Sequence, residues 1–149
     1  MKLLDKIKLF FVRDKTPSKK LDLKIVLNRI RTPDGTILTS YNRHDFKTHK
    51  DANGKTYGVD GGIDYLRRIG DVDDCEELSV YNHEPFEIIR KSFHWGTRGI
   101  KGDQPLTYKP VCDLTKLHIK AILKTQTQIP KWVENIFERE LKYRDEKNS

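Results

Sequence analysis

The chain reads as an α+β protein, a small antiparallel sheet covered by C-terminal helices. Three observations predict this. Turn signatures with β-type flanks crowd residues 23–60, helical spacing takes over from about residue 85, and the two regions do not interleave as βαβ units would. The 149 residues make one domain's worth of chain. Leu, Ile, Val and Phe number 40 of them, enough for a core to form, although 34% charged residues keep that core modest.

Residues 2–13 (KLLDKIKLFFVR) place Leu3, Leu4, Ile7, Phe10 and Phe11 at helical spacing, with Lys2, Lys6 and Lys8 elsewhere on the wheel. This predicts a short amphipathic basic helix. Residues 14–22 are polar and contain Pro17, so they read as a linker. The expected organisation is a basic arm over 1–22 and a single α+β domain over 23–149.

Two strands, 23–31 and 36–46, flank Thr32-Pro33-Asp34-Gly35, where Pro supplies its fixed φ and Gly permits a positive one. A second turn, Ala52-Asn53-Gly54-Lys55, precedes a third strand over 56–60, and Asn-Gly is a strong hairpin signal. Gly61-Gly62 closes this meander, 63–69 reads as a helical turn, and 78–81 as a further short strand. A first helix is expected over about 85–95. Pro85 opens it, Phe86, Ile89 and Phe93 share its face, and Gly96 caps it. A second helix, about 114–126, takes Asp113 or Thr115 as N-cap and aligns Leu114, Leu117, Ala121 and Ile122. Pro130 opens a third, about 131–145, with Val133, Ile136, Phe137 and Leu141 on one face.

Composition narrows the function classes. No apolar stretch approaches the 18 residues that would span a bilayer, and the N-terminus has no secretory pattern, so a soluble intracellular protein is expected. Cys75 and Cys112 make neither a disulfide framework nor a zinc finger, and Cys112, beside Val111 and Leu114, is expected in the core. The net charge of +7 is confined to residues 1–31, where ten Lys and Arg meet three Asp. The remaining residues carry nineteen charges of each sign. A basic N-terminus on a neutral body points to an anionic partner.

Four sets of residues are candidates for chemistry. His44, Asp45, His49 and Asp51 supply the imidazoles and carboxylates that a nuclease or phosphoesterase dependent on a divalent metal requires. Lys47 between Asp45 and His49 opposes a cation, and a hydrogen-bonded Asp–His pair steadying the hairpin explains the same residues. The stretch Trp95-Gly96-Thr97-Arg98-Gly99-Ile100-Lys101-Gly102 offers three glycines, Arg98 and Lys101 to a phosphate, although a helix cap and turn also account for it. Arg29, Arg31, Arg43, Arg67 and Arg68, with Tyr41, Phe46, Tyr57 and Tyr65, gather cations and rings in the sheet region, the two ingredients of a nucleic-acid surface. The basic arm contributes Lys2, Lys6, Lys8, Lys19 and Lys20. Nucleophilic catalysis has no motif to support it.

RTPDG running into ILTSYNRHDFKTHKDANGKTYGVDGGIDYLRR, then EELSVYNHEP and WGTRGIKGDQPLTYKPVCDL, resembles a family of small uncharacterised proteins encoded by tailed bacteriophages. The resemblance covers about residues 29–146 and brings no assigned activity or cofactor. Members of that family carry His where this chain has Asn42 and Tyr where it has Phe46, which weakens the case for a histidine-based metal site. The resemblance implies the cytoplasm of an infected host cell. It favours a non-enzymatic accessory protein that binds a host protein, a nucleic acid or a small nucleotide. The expected contacts are the five arm lysines with Arg43, Arg98 and Lys101, and a membrane surface is disfavoured as a partner. The alternatives are the metal-dependent nuclease or phosphoesterase and a minor virion or assembly protein.

Overall fold

The computed structural model describes residues 23–63 and 65–148. The expected N-terminal helix, with Lys2, Lys6, Lys8, Lys19 and Lys20, lies outside the described residues. The chain forms two compact units, one ending at Glu84 and the other beginning at Pro85. Strands make up the first unit and helices most of the second, where one antiparallel hairpin stands between the first two helices, an α+β arrangement.

In the first unit, β1 (Ile25–Arg31) is the central strand. It pairs antiparallel with β2 (Ile37–Ser40) on one side and with β6 (Glu76–Glu77) and β7 (Val80–Tyr81) on the other. The second sheet is β3 (Phe46–Lys50), β4 (Thr56–Asp60) and β5 (Arg67–Gly70), all antiparallel. Both predicted turns are present. Gly35 takes φ +90° and its N–H donates to Thr32 O at 2.9 Å. In the second, Gly54 takes φ +79° while the Asp51 carboxylate accepts from the Asn53 and Lys55 amides, each at 2.9 Å.

The expected strand over 36–46 is two strands. The chain turns between Tyr41 and Asp45, where the Asp45 carboxylate accepts the Tyr41 N–H at 3.0 Å and the Ser40 hydroxyl donates to Asp45 O at 3.0 Å. That turn moves the chain from the first sheet to the second. The expected helical turn over 63–69 is also corrected, because Arg67–Gly70 is a strand. Its alternation is disguised, since the inward position is occupied by Arg68, not by an apolar residue. Between the sheets lie Ile30 and Leu38 from the first and Tyr57 and Val59 from the second, with Cys75 and Val72 beside them.

One end of this interior is polar. The buried Arg68 side chain donates to both Glu77 oxygens, at 2.9 and 3.0 Å, to Ser79 Oγ at 3.0 Å and to Asn28 Oδ1. Asn28 in turn donates to Gly61 O at 2.7 Å. The Ser79 hydroxyl accepts from the Arg29 amide at 3.0 Å, a bond that a strand partner's carbonyl would ordinarily receive. The network fastens β5 of one sheet to β1 and β6 of the other.

The second unit holds α1 (Phe86–Ser92), the hairpin β8 (His94–Thr97) and β9 (Thr107–Pro110), α2 (Lys116–Thr125) and α3 (Lys131–Lys147). The first helix stops at Ser92, short of the expected 95, and Gly96 is a strand residue lying against Leu106 and Tyr108, not a helix cap. Trp95 sets the competition, because its ring meets Phe137 edge-on at 5.3 Å while its backbone pairs with Lys109. Of the two N-cap candidates for α2, Thr115 caps, its hydroxyl accepting from the His118 N–H at 3.1 Å. Its buried stripe is Ile119 and Ile122, while the expected core residues Leu117 and Ala121 face solvent. In α3, Val133, Ile136 and Phe137 are buried as expected, and the next position on that stripe is Glu140, with no exposed surface. Arg90 grips this carboxylate through two bonds of 2.8 and 2.7 Å, and Arg144 adds a third at 2.8 Å. Arg144 also donates to the carbonyls of Val111, Cys112 and Leu114. Cys112 is half-buried, not fully in the core.

Candidate nucleic-acid interface

The four residues considered for a metal each have a local task. Asp45 ends the 41–45 turn, accepting the Phe46 N–H at 3.0 Å and the Lys47 ammonium at 2.6 Å. Burial acts to raise its pKa, yet the Lys47 ammonium and the backbone N–H donors hold it below the usual carboxylate range. His44 donates its amide to Asn42 Oδ1 at 3.2 Å. His49 faces inward on β3, with Nε2 at 2.7 Å from Asp34 and 3.2 Å from Thr36 Oγ1, and its ring stacks on Tyr57. Asp51 accepts the Tyr57 hydroxyl at 2.8 Å. Among the described residues, no group of three or more His, Cys, Asp or Glu side chains is arranged to hold a metal ion.

An Asp–His pair is present, but the acid is Asp34, fifteen residues upstream in the β1–β2 turn. In the sequence Asp34 shows only as a turn former. Its second role arises because the hairpins pack together, which no local pattern reports. The Thr32 hydroxyl, the His49 ring and the Thr36 amide together hold the Asp34 carboxyl far below its ordinary range. Asp51 accepts from Tyr57, which lowers the acid and pushes the phenol up to about 12. This set ties the two hairpin turns to β3 and β4.

The glycine-rich stretch in the second unit is divided between β8, which takes Trp95, Gly96 and Thr97, and the loop 98–106 that leads to β9. Three of its amides are engaged locally: Gly99 N–H donates to Thr97 Oγ1 at 3.2 Å, Gly102 N–H to Gly99 O at 3.1 Å, and Gln104 N–H to Arg98 O at 2.9 Å. What it presents outward is Arg98, Lys101 and a fully exposed Ile100. Arg43 is likewise exposed, in the 41–45 turn of the first unit.

The arginines and rings of the sheet region sort into two populations. Arg68 and Tyr57 point inward, as described. Arg31 is paired with Glu76 at 2.6 Å, and Arg29 Nε donates to Leu78 O at 3.3 Å. Outward lie Phe46, 50% exposed, Tyr65, 43% exposed, and Arg67, whose side chain is 61% exposed. Alternation on β3, β4 and β5 decides the division.

No protein family, curated protein or solved structure matches this chain.

Proposed function

We propose that the chain is a non-enzymatic binding module, a phage accessory protein whose ligand is nucleic acid and whose main grip is the basic N-terminal segment. The observation that carries this is the concentration of net charge at the N-terminus, where residues 1–22 hold seven Lys and Arg against three Asp, +4 of the chain's +7. Closely spaced cations bind a phosphate chain by releasing its condensed counterions, and this works without a shaped pocket. Lys2, Lys6, Lys8, Lys19 and Lys20 supply that grip, with the exposed Arg43, Arg98 and Lys101 as further phosphate contacts. Support also comes from the His49 cluster, whose imidazole and carboxylates are engaged in tying turns together.

The test is fluorescence anisotropy of labelled DNA and RNA with the full chain and with a variant lacking residues 1–22. Binding that weakens steeply with salt and collapses on truncation supports the reading. No binding at low salt overturns it and moves attention to a host protein or a small nucleotide.

A further inference from the structure

We infer that the outward face of the β3–β4–β5 sheet is a stacking surface for the bases of single-stranded nucleic acid. The inference rests on the nucleic-acid reading above and specifies the strand form and the residues that meet it.

Register places Phe46, Asp60 and Arg67 in one row across the three strands, and Thr48, Gly58 and Ile69 in the next. Lys50 and Thr56 begin a third row. The centre of the face is a glycine, and a Cβ there would press on Ile69 Cβ at 3.2 Å, so Thr48 and Ile69 close over it and the face stays low. Phe46 is half exposed on this floor. Tyr65 reaches the same row at Asp60, to which its hydroxyl donates at 3.3 Å. The Arg67 Nε lies 3.4 Å from the same carboxylate while most of the guanidinium remains in water. Two rings and a planar cation therefore gather at the first row of this face, the set that stacks on bases of any sequence.

Charge orients the ligand. β3 is an edge strand, with Lys50 exposed in it and Arg43 exposed just before it, while the Lys47 ammonium is paired with Asp45. Asp60 lies within the face and Asp71 beyond the third row, so a phosphate chain is favoured along β3 and disfavoured over β4. Bases lying inward from that edge reach Phe46 and Tyr65, and Asp60 is placed to accept from exocyclic amino groups. A duplex hides its base faces within its own stack, so the rings discriminate for single strands.

The experiment compares the full chain with Phe46→Ala, Phe46→Tyr and Arg67→Ala on a labelled 12-nucleotide DNA, the same sequence as RNA, and the DNA duplex. Anisotropy is read at two salt concentrations, with a thermal melt of each variant. Expected is a loss of about tenfold or more on single strands for Phe46→Ala, with duplex binding and salt dependence unchanged and Phe46→Tyr close to wild type. Arg67→Ala, which keeps the buried core, reports the same preference if Phe46→Ala melts early. The DNA and RNA arms show which strand chemistry the face takes. Unchanged single-strand binding in both alanine variants, or an equal loss on duplex, overturns the stacking surface while leaving the arm's role standing. A wild-type chain that binds no nucleic acid overturns both.

Discussion

Glu140 shows how a single residue can belong to a helix stripe without being apolar. Its carboxylate has no exposed surface, and burial alone would push its pKa up. Arg90 and Arg144 reverse that and hold the pKa below the ordinary value of 4.5. Because the folded value is depressed, the stabilisation is fully present above the unfolded value and is lost as pH falls through the folded one. Unfolding by urea is therefore expected to give a stability that declines below about pH 4.5, and Glu140→Gln should flatten part of that decline. Glu140→Ala leaves the partly buried Arg90 and Arg144 guanidinium groups without their counter-ion and is expected to cost about 3 kcal/mol at pH 7, the low end for breaking a buried pair. Arg68 poses the same problem in the first unit, with its Nε buried and unpartnered while its terminal nitrogens serve Glu77, Ser79 and Asn28.

Elements here end where turn chemistry or a tertiary contact requires it. Gly54 and Gly70 both take positive φ, but for different reasons. Around Gly54 there is space, so Gly54→Ala meets only the left-handed penalty of about 1–2 kcal/mol. At Gly70 a Cβ would stand 2.2 Å from Thr56 O, so Gly70→Ala must also break the β4–β5 join. A denaturation midpoint shifted further by Gly70→Ala than by Gly54→Ala is the expected result, and equal shifts would contradict the register. The β8–β9 hairpin illustrates the other limit. Residues 94–97 follow helix α1 in sequence and carry a glycine that resembles a cap, yet Trp95 has a partner in Phe137 and the backbone a partner in β9. Packing a large ring outweighs another turn of helix, whose last residues would add little.

Across the whole molecule the net charge is uneven, +4 on residues 1–22 and +3 on the remaining 127. Residues 1–22 contain seven of the chain's basic residues, and each phosphate they neutralise on a single strand adds about 0.7 to the salt-dependence slope of binding. Their removal should flatten that slope accordingly. A slope unaffected by truncation would place the electrostatic grip on the body instead, with Arg43, Arg98 and Lys101 the first to replace.

Much of the fold was legible in the sequence because its signals are local. The Thr-Pro-Asp-Gly and Asn-Gly turns, Pro130 and the Val133, Ile136 and Phe137 stripe all act within a few residues of one another. β5 and β8 were not legible. One hides its period behind a buried arginine, and the other exists because a distant strand and a phenylalanine make it favourable. The site divides in the same way. Sequence alone placed Phe46, Tyr65 and Arg67 among nine rings and cations of one region, and it offered an Asp–His pair among His44, Asp45, His49 and Asp51. Only the tertiary structure chose Asp34 as the acid for His49, turned Arg68 inward and left Arg67 outward. A strand's alternation fixes which residues share a face, but only packing of one sheet on another decides which face meets water.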